Sequence, residues 1–366
     1  MLAFFREYTI AQKLIQKKYH IIFYAENSYY YQYFKHLLGH LLIEKKLKIC
    51  YITSDLNDTI LQSKKENLET YYIKITLGFV FPKLQADVML LTMPDLNNFH
   101  LKRSAGVKEY IYVFHAMVST HQQYRAHAFD HYDSIFCVGP HHSNEIQEQE
   151  HKYHLPKKKL IPYGYPLLID LKAKAIIKVK STTKVLIAPS WYQEGILTTC
   201  LFSILDQLVD NPYEIWIRPH PEYLKRYPKH FRKLQKHCMT RKNLYIDMTP
   251  DVFTHLVDAD YLITDRSGIA FEFAYIREKP VLFIETPLKT QNPDYVNYKA
   301  IPVENKFRSQ LGVRIPITEI NNINNYFKKL SSIDIKSLKE SIENEMLFTE
   351  SNWQNGINYI KEKISL

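Results

Sequence analysis

Two short segments of this sequence combine cations, a hydroxyl group and a glycine in ways that suit an anionic ligand. Residues 218–221 read Arg-Pro-His-Pro, in which Arg218 offers a planar fork to phosphate oxygens and the flanking prolines fix the position of His220. Residues 264–268 read Thr-Asp-Arg-Ser-Gly and follow a short apolar run, a pattern typical of a buried strand that leads into a helix. We predict that Ser267 caps this helix and that Gly268 lets a ligand approach its free N–H groups. Both segments therefore predict a phosphate or diphosphate site.

Two further residues could act on other parts of a substrate. His115 follows an apolar segment at 110–114, and its imidazole could remove a proton from an attacking hydroxyl because its ordinary pKa is near neutrality. Glu272 lies one turn into the helix after Ser267, where a carboxylate could accept both hydroxyls of a ribose. The alternatives are structural: a hydrogen-bonded histidine at a strand end, and a helix-face glutamate paired with Lys279 or solvent.

The strands that must carry these residues recur at regular intervals. After an amphipathic helix expected at 2–19, strand-like runs occur at 20–24, 48–53, 71–76, 87–91, 110–114 and 134–138. The runs at 87–91 and 110–114 are almost continuously apolar, as in parallel strands that helices cover on both faces. Ligands gather at the carboxyl ends of such strands, which is where His115 and Arg218 are expected.

A second alternating series, at 184–188, 213–217, 243–246, 260–263 and 281–284, predicts a second sheet of the same type. The predicted fold class is therefore α/β, with two Rossmann-like, doubly wound parallel-sheet domains and a cleft between them. We expect an N-terminal domain at 1–165, an interdomain crossing at 166–183 and a C-terminal domain at 184–335. Residues 336–366 are expected to form helices that close the second domain or pack back on the first.

Composition limits the partners and the compartment. The 366 residues are 46% hydrophobic, enough for two cores, and 48 basic against 38 acidic residues give a net charge of +10. This excess favours a polyanionic partner, such as an anionic membrane surface or a phosphate-bearing substrate. Four scattered cysteines fit a reducing cytoplasm. Because no apolar run approaches the ~20 residues of a membrane span, we expect a cytoplasmic protein, soluble or peripheral on the inner face of the membrane.

Several other chemistries are disfavoured. The chain lacks Gly-x-Gly-x-x-Gly and P-loop motifs, and no histidine or cysteine spacing indicates a metal site, so neither a metal nor another cofactor is predicted. The segment 225–242 is rich in lysine and arginine and contains no acidic residue. A solvated face is its simplest interpretation, and anionic lipid or polyphosphate is the alternative. Nucleic acid is disfavoured because aromatic residues are sparse in this segment and no nucleic-acid motif accompanies it.

The motifs resemble those of a known family of GT-B-type transferases, the CDP-glycerol glycerophosphotransferases that polymerise teichoic acid and capsule. The resemblance is carried by Arg-Pro-His-Pro at 218–221, by Ile-Thr-Asp-Arg-Ser-Gly at 263–268 with Phe-Glu at 271–272, and by Lys-Pro-Val-Leu-Phe at 279–283. Weaker matches are Phe-His at 114–115 and Gly-Tyr-Pro at 164–166. It covers most of the second domain and scattered points of the first.

The resemblance implies a role for each candidate residue. His115 would be the general base on the acceptor side, so that the domain at 1–165 would bind the acceptor. In the domain at 184–335, His220 would also be catalytic. The residues that would hold the nucleotide-activated donor in this domain are Arg218, His220, Thr264, Asp265, Ser267, Gly268 and Glu272. The implied function is transfer of glycerol phosphate, or a related polyol phosphate, from a CDP-activated donor to a hydroxyl of a growing surface polymer, with release of CMP.

Departures from the family pattern leave alternatives open. Arg-Ser-Gly at 266–268 replaces Tyr-Ser-Ser, Glu272 replaces an aspartate, and Ala116 replaces a glycine. A nucleotide-sugar glycosyltransferase of capsule or lipopolysaccharide synthesis, including the Kdo-transferase type, would satisfy much of the same pattern. A UDP-sugar 2-epimerase-like enzyme and a non-catalytic polyanion-binding scaffold are further alternatives. The acceptor would be a polymer or a lipid-linked molecule.

Overall fold

The structure, a computed structural model, describes residues 2–175, 182–249, 251, 253–330 and 332–364. Within these ranges the chain forms two parallel sheets of seven and six strands, as the alternating pattern predicted. The strands are β1 Lys18–Ala25, β2 Ile49–Thr53, β3 Leu68–Tyr72, β4 Gln85–Leu91, β5 Val107–Val113, β6 Ser134–Cys137, β7 Lys159–Pro162, β8 Thr183–Ile187, β9 Tyr213–Ile217, β10 Leu244–Ile246, β11 Tyr261–Thr264, β12 Val281–Glu285 and β13 Gly312–Pro316.

Most of the strands are connected by helices. They are α1 Leu2–Ile15, α2 Tyr31–Leu41, α3 Leu77–Val80, α4 Thr120–Gln123, α5 Pro140–Lys152, α6 Leu167–Lys174, α7 Ile196–Thr199, α8 Leu201–Leu208, α9 Pro221–Arg226, α10 Pro228–Met239, α11 Ile269–Arg277, α12 Val303–Leu311, α13 Ile323–Leu330, α14 Lys336–Met346 and α15 Trp353–Lys363.

Two compact units contain these elements. Unit 1 comprises residues 1–167, 291–300 and 344–366, and unit 2 comprises 168–290 and 301–343. Residues 291–300, which the sequence analysis placed in the second domain, thus belong to unit 1. Of the expected crossing at 166–183, residues 166–175 lie mainly in α6, and residues 176–181 lie outside the described residues. Residues 365 and 366 of the expected C-terminal segment also lie outside them.

In unit 1 the strand order is β3-β2-β1-β4-β5-β6-β7, and all neighbours are parallel. The interior strand β1 is buried from Ile21 to Ala25, which matches a strand with helices on both faces. The hydrophobic core of unit 1 includes aromatic side chains from α2, notably Phe34, and residues Ile357 and Ile360 of α15. The C-terminal helix α15 therefore packs against the sheet of unit 1.

In unit 2 the order is β10-β9-β8-β11-β12-β13, again with parallel neighbours. Ile187 of β8 is paired with Ile217 of β9 and with Ile263 of β11, and Ile217 is paired with Ile246 of β10. This register makes the four strands end at the same level. The residues that follow them consequently emerge at one edge of the sheet, which we call the carboxyl edge.

The main errors of the sequence analysis concern elements at sheet edges. It missed β7 and β13, and it placed β3 at 71–76 instead of Leu68–Tyr72. All three are edge strands with few buried residues, so they lack the continuous apolar run that marked the central strands. The first helix was also predicted too long: α1 ends at Ile15, and β1 begins at Lys18.

Three chemical features of the described residues accompany this fold. None of their helices has the length and apolar character of a membrane span. No group of three or more potential metal ligands occurs among them. All four cysteines are buried as free thiols.

Candidate functional site

The turn between β11 and α11 is built on two buried side chains. Thr264 and Asp265 are each 0% exposed. The Thr264 hydroxyl donates to the carbonyl of Ala188 at 2.8 Å. One Asp265 oxygen accepts from the Ser190 N–H at 2.8 Å and from the Ser190 hydroxyl at 2.7 Å. These bonds tie the turn to the segment after β8, and the role of Thr264 and Asp265 in donor binding stays a prediction.

The helix that follows presents an open N-terminus. It begins at Ile269 with Gly268 at the N-cap position and has no side-chain cap, so the predicted capping by Ser267 is wrong. Ser267 is only half-buried. The N–H groups of Ala270 and Phe271 donate to the carbonyls of Ser267 and Gly268 at 3.4 and 2.9 Å, so an anion at this end would be bound mainly by the N–H groups that precede Ala270. Glu272 lies in the first turn and is 4% exposed, so its carboxylate is held within unit 2.

Arg218 is largely occupied by neighbouring groups of the carboxyl edge. Its Nη1 donates to Asp247 at 2.8 Å and to the Thr249 hydroxyl at 3.2 Å, and its Nη2 donates to the Thr249 carbonyl at 2.9 Å. These contacts use three of the five N–H donors of the side chain. Burial raises the pKa of Asp247, but hydrogen bonds from Thr249 and Arg218 outweigh this effect and lower the pKa. Arg218 therefore fixes the loop after β10, and few of its donors remain for a ligand.

His220 is held in one orientation and lies more open. Its Nδ1 accepts the N–H of Glu222 at 3.1 Å, so in the neutral ring the hydrogen is on Nε2, which can donate to a ligand. Loss of hydration, reinforced by the positive charge of Lys289, lowers the pKa of His220 to about 4. The ring lies 6.0 Å from that of Trp191.

Lys289 was not identified from the sequence. It follows β12 by four residues and lies 5.5 Å from the Trp191 ring, near His220. Burial lowers its pKa, and the Asp265 carboxylate opposes this effect. Its position just after a strand of the second sheet was a usable signal, because ligands gather at the carboxyl ends of parallel strands. The carboxyl edge of unit 2 thus combines His220, Lys289 and the open end of α11.

In unit 1, His115 lies just beyond β5 within a shell of tyrosines. The rings of Tyr30, Tyr33 and Tyr124 have centroids 5.4, 6.0 and 6.3 Å from the imidazole. The Tyr165 hydroxyl donates to the His115 carbonyl at 3.2 Å. Burial lowers the pKa of His115 to about 4, although a hydrogen bond with the Thr92 main chain opposes the shift. Within the described chain its Nδ1 has no hydrogen-bond partner, so a lone pair is available on a neutral ring once the shell admits a substrate.

The segment after His115 is held by the first turns of α5. Nε2 of His141 bonds to the Met117 carbonyl at 3.1 Å, and Nε2 of His142 bonds to the Val118 carbonyl at 2.9 Å. The His142 ring also packs on Phe114, with centroids 3.8 Å apart. Burial keeps the pKa of both histidines below the ordinary value. The pair at 141–142 therefore positions the His115 segment from inside the unit.

Comparison with known proteins identifies the type of protein to which the chain is similar. The family model described as CDP-glycerol:poly(glycerophosphate) glycerophosphotransferase matches residues 8–328. A search of curated protein sequences gave no significant match.

Solved structures resemble the chain over nearly its full length. The wall teichoic acid polymerase TagF superposes with a TM-score of 0.58 at 12% identity, over 99% of this chain and 98% of that chain. The S. aureus MnaA–UDP co-structure gives 0.59 at 13% identity, over 94% and 96%. The Neisseria meningitidis UDP-GlcNAc 2-epimerase bound to UDP-GlcNAc gives 0.58 at 11%, over 93% and 98%. At these identities the structures establish a shared GT-B-type fold of two Rossmann-like sheets.

Proposed function

This chain belongs to the CDP-glycerol:poly(glycerophosphate) glycerophosphotransferase family and is a transferase of that type, and we propose how its residues carry out the transfer. The donor is assigned to the carboxyl edge of unit 2. The acceptor is assigned to the surroundings of His115 in unit 1, which are lined by tyrosines. The observation that carries it is the family match over 8–328, within which Lys289 lies near both His220 and Asp265 of the turn that leads to α11.

The donor's diphosphate is assigned to the cationic groups of unit 2. The N-terminus of α11 around Ser267 and Gly268 supplies N–H donors, and Lys289 supplies positive charge. His220 donates from Nε2 to a phosphate oxygen. Negative charge beside the ring raises its pKa, so we expect donor binding to increase its protonation and to favour departure of CMP.

The residues that do not reach the donor directly position those that do. Asp265 and Thr264 hold the β11–α11 turn, and Arg218 holds the loop after β10. Glu272, for which the sequence analysis proposed ribose binding, lies in the first turn of α11. We retain ribose recognition as its proposed role because its carboxylate is adjacent in sequence to the open helix end.

The proposed reaction is a phosphoryl transfer from the donor to an acceptor hydroxyl. The acceptor hydroxyl oxygen forms a bond to the donor's β-phosphorus, and the bond from that phosphorus to the oxygen of CMP breaks. The acceptor proton passes to Nδ1 of His115, the nitrogen whose lone pair has no partner within the described chain. The acceptor is a hydroxyl of a surface polymer, teichoic acid or capsule, or of a lipid-linked precursor.

An anionic membrane surface is a proposed partner because the acceptor polymer is made for the cell surface. The basic segment of α9 and α10 supports it: Lys229, Arg232 and Lys236 are exposed, whereas Lys225 and Arg226 already pair with Glu222. We expect the chain to sediment with phosphatidylserine vesicles and not with phosphatidylcholine vesicles, and salt should weaken the interaction. Replacing the three exposed cations by glutamate should abolish it. Equal sedimentation with both kinds of vesicle would exclude this partner.

The test of the function is release of nucleotide from candidate donors. Purified protein is incubated with an acceptor and with CDP-glycerol, a UDP-sugar or a CMP-sugar in separate reactions. We expect CMP from CDP-glycerol and no nucleotide from the sugars. Release of UDP would favour a glycosyltransferase or an epimerase-like enzyme, and release of no nucleotide from any donor would favour a polyanion-binding scaffold.

A further inference from the structure

An open surface pocket lies between α2 and α15 of unit 1. Its volume is about 300 Å³, at the lower end of the range of roughly 300–1,000 Å³ that is usual for small-ligand pockets. The residues that line it are Lys35, His36, Gly39, His40, Ile43 and Trp353. None of these residues has a role in the proposed transfer.

Three aromatic rings meet in this pocket. The imidazoles of His36 and His40 have centroids 6.0 and 5.7 Å from the Trp353 ring. All three residues are half-buried, so part of each ring remains accessible. Flat apolar faces flanked by ring nitrogens suit a ligand that combines C–H surfaces with hydroxyl groups, as a sugar ring does.

Gly39 leaves space in the wall of the pocket. It lies inside α2, where a glycine is less favourable than an alanine by about 1 kcal/mol. A Cβ added at Gly39 would have no atom of the described chain within 4 Å, so no neighbouring group requires a glycine here. The missing side chain keeps this part of the wall open for a ligand.

The charges around the pocket favour an anionic ligand. Among the described residues, Lys35 lines the pocket and no carboxylate does. Glu44, the first acidic residue after the pocket residues of α2, pairs with Lys361 at 2.8 Å. The exposed residues Lys45 and Lys46 follow it and add two positive charges. A negatively charged chain is therefore attracted to this part of unit 1.

The pocket shares one face of α2 with the surroundings of His115. The ring of Tyr33 lies 6.0 Å from the His115 imidazole. Tyr33 precedes His36 by three residues and His40 by seven, and residues at these spacings lie along one side of a helix. At 1.5 Å per residue, His40 is about 10 Å from Tyr33 along the helix axis. A chain-like acceptor with its end at His115 can therefore place an earlier unit in the pocket.

We propose that this pocket binds a sugar ring of an anionic acceptor polymer, at a unit that precedes the accepting hydroxyl. The ring stacks on Trp353, its hydroxyl groups bond to the nitrogens of His36 and His40, and Lys35 neutralises a negative group of the chain. This inference rests on the proposed function, because it takes the ligand to be the acceptor. It narrows the acceptor to a polymer that contains sugar rings.

The experiment measures binding of the full chain, without a donor, to an array of immobilised bacterial surface polymers. The array carries neutral glycans, anionic glycans, and poly(glycerol phosphate) as an anionic polymer without sugar rings. We expect the wild-type chain to bind anionic glycans in preference to the other two groups. Trp353→Ala should weaken this binding about 10-fold or more, because it removes the stacking surface. Phe5→Ala, which removes an exposed aromatic side chain of unit 1 outside the pocket, should leave it unchanged.

Gly39→Leu keeps the test decisive if Trp353→Ala does not fold, as judged by circular dichroism. Leucine is favourable in a helix and fills the pocket, so this variant should fold and lose the same glycans. Lys35→Met should weaken the anionic glycans about 2- to 5-fold and leave the neutral ones unchanged. The proposal is overturned if the wild-type chain binds no glycan, prefers poly(glycerol phosphate), or binds the same glycans as tightly as the Trp353 and Gly39 variants do.

A separate assay of CMP release from CDP-glycerol distinguishes failure of this inference from failure of the proposed function. If no CMP is released but the two pocket variants lose glycan binding, the proposed function is wrong and the glycan site stands. If CMP is released and the variants bind glycans normally, the transfer stands and the glycan site is wrong.

Discussion

At the level of single residues, the candidate donor site divides into internal supports and accessible groups. Asp265 and Thr264 are fully buried and hydrogen-bonded to the segment after β8. Ser267 and Lys289 are half-buried at the carboxyl edge and have no such internal bonds in the described structure. Asp265 and Thr264 therefore hold the shape of the turn from inside unit 2. For this reason, substitutions of Asp265 are expected to act through the shape of the turn.

The first residue-level prediction concerns His115. Replacing it by alanine removes the proposed base, and general-base catalysis typically contributes roughly 100- to 10,000-fold in rate. We expect CMP release from CDP-glycerol to fall by such a factor, while calorimetry shows nearly unchanged donor affinity. The replacement should be measured beside His151→Ala, which changes an exposed histidine of α5 in the same unit. Weakened donor binding with normal turnover would reject the role.

The pH profile of turnover provides a second residue-level prediction. The pKa of His115 is lowered to about 4 by burial, so the base remains unprotonated well below neutrality in the free enzyme. We expect the acidic limb of kcat/KM to fall near this value, well below the ordinary histidine value of about 6.5. A limb near pH 6.5 that is unchanged in a His115 variant would contradict the assignment.

At the level of elements, the C-terminal segment is closely fitted to the turn between β6 and α5. A Cβ added at Gly139 would lie 2.2 Å from main-chain atoms of Met346. The N–H of Phe348 donates to the carbonyl of Val138 at 2.9 Å beside this contact. Glycine is required here because two main chains approach each other closely. The contact fixes the start of the segment that leads to α15.

This contact predicts a specific loss of stability. Gly139→Ala should reduce the free energy of unfolding by about 1–3 kcal/mol or more, since the added methyl group forces main chains apart. Urea unfolding measures the change. Gly39→Ala is the matched control, because this glycine is within α2 and nothing lies within 4 Å of the added Cβ. It should stabilise the chain by up to about 1 kcal/mol. Equal effects of the two changes would show that the contact with Met346 does not constrain Gly139.

At the level of the whole molecule, both units contain histidines whose pKa is lowered in the folded chain. The pKa of His115 and of His220 is lowered to about 4, and those of His141 and His142 are lowered as well. An unfolded chain binds protons at these positions once the pH falls below about 6.5, whereas the folded chain does not until lower pH. The contribution of these histidines to the stability of the fold is therefore constant above about pH 6.5 and decreases as the pH falls toward about 4.

We therefore predict that the melting temperature falls between about pH 7 and pH 5, with each neutral histidine contributing up to about 1.4 kcal/mol per pH unit. Carboxylates with a lowered pKa lose their contribution to stability mainly below about pH 5. The change in melting temperature between about pH 7 and pH 5 therefore reports on the histidines. His142→Gln keeps a donor for the Val118 carbonyl and removes one titrating group, and its melting temperature should depend less on pH. A melting temperature that is constant across the window would refute the prediction.

The sequence by itself determined the repeated α/β pattern, the two parallel sheets and the family motifs, because central strands and their terminal turns have strong local signals. The edge strands β7 and β13 gave no such signal, because few of their side chains are buried. The absence of a side-chain cap on α11 was missed because the type of residue 267 does not determine whether its hydroxyl reaches an N–H group of the helix.

Only the tertiary structure decided which candidate side chains remain available to a ligand. Asp265 bonds to Ser190, 75 residues away, and Arg218 bonds to Asp247, 29 residues away. Conversely, Lys289 becomes a candidate because the fold brings it close to the Trp191 ring and to His220. The physical reason is that a polar side chain is consumed or left open by partners distant in the chain, and folding alone determines those partners.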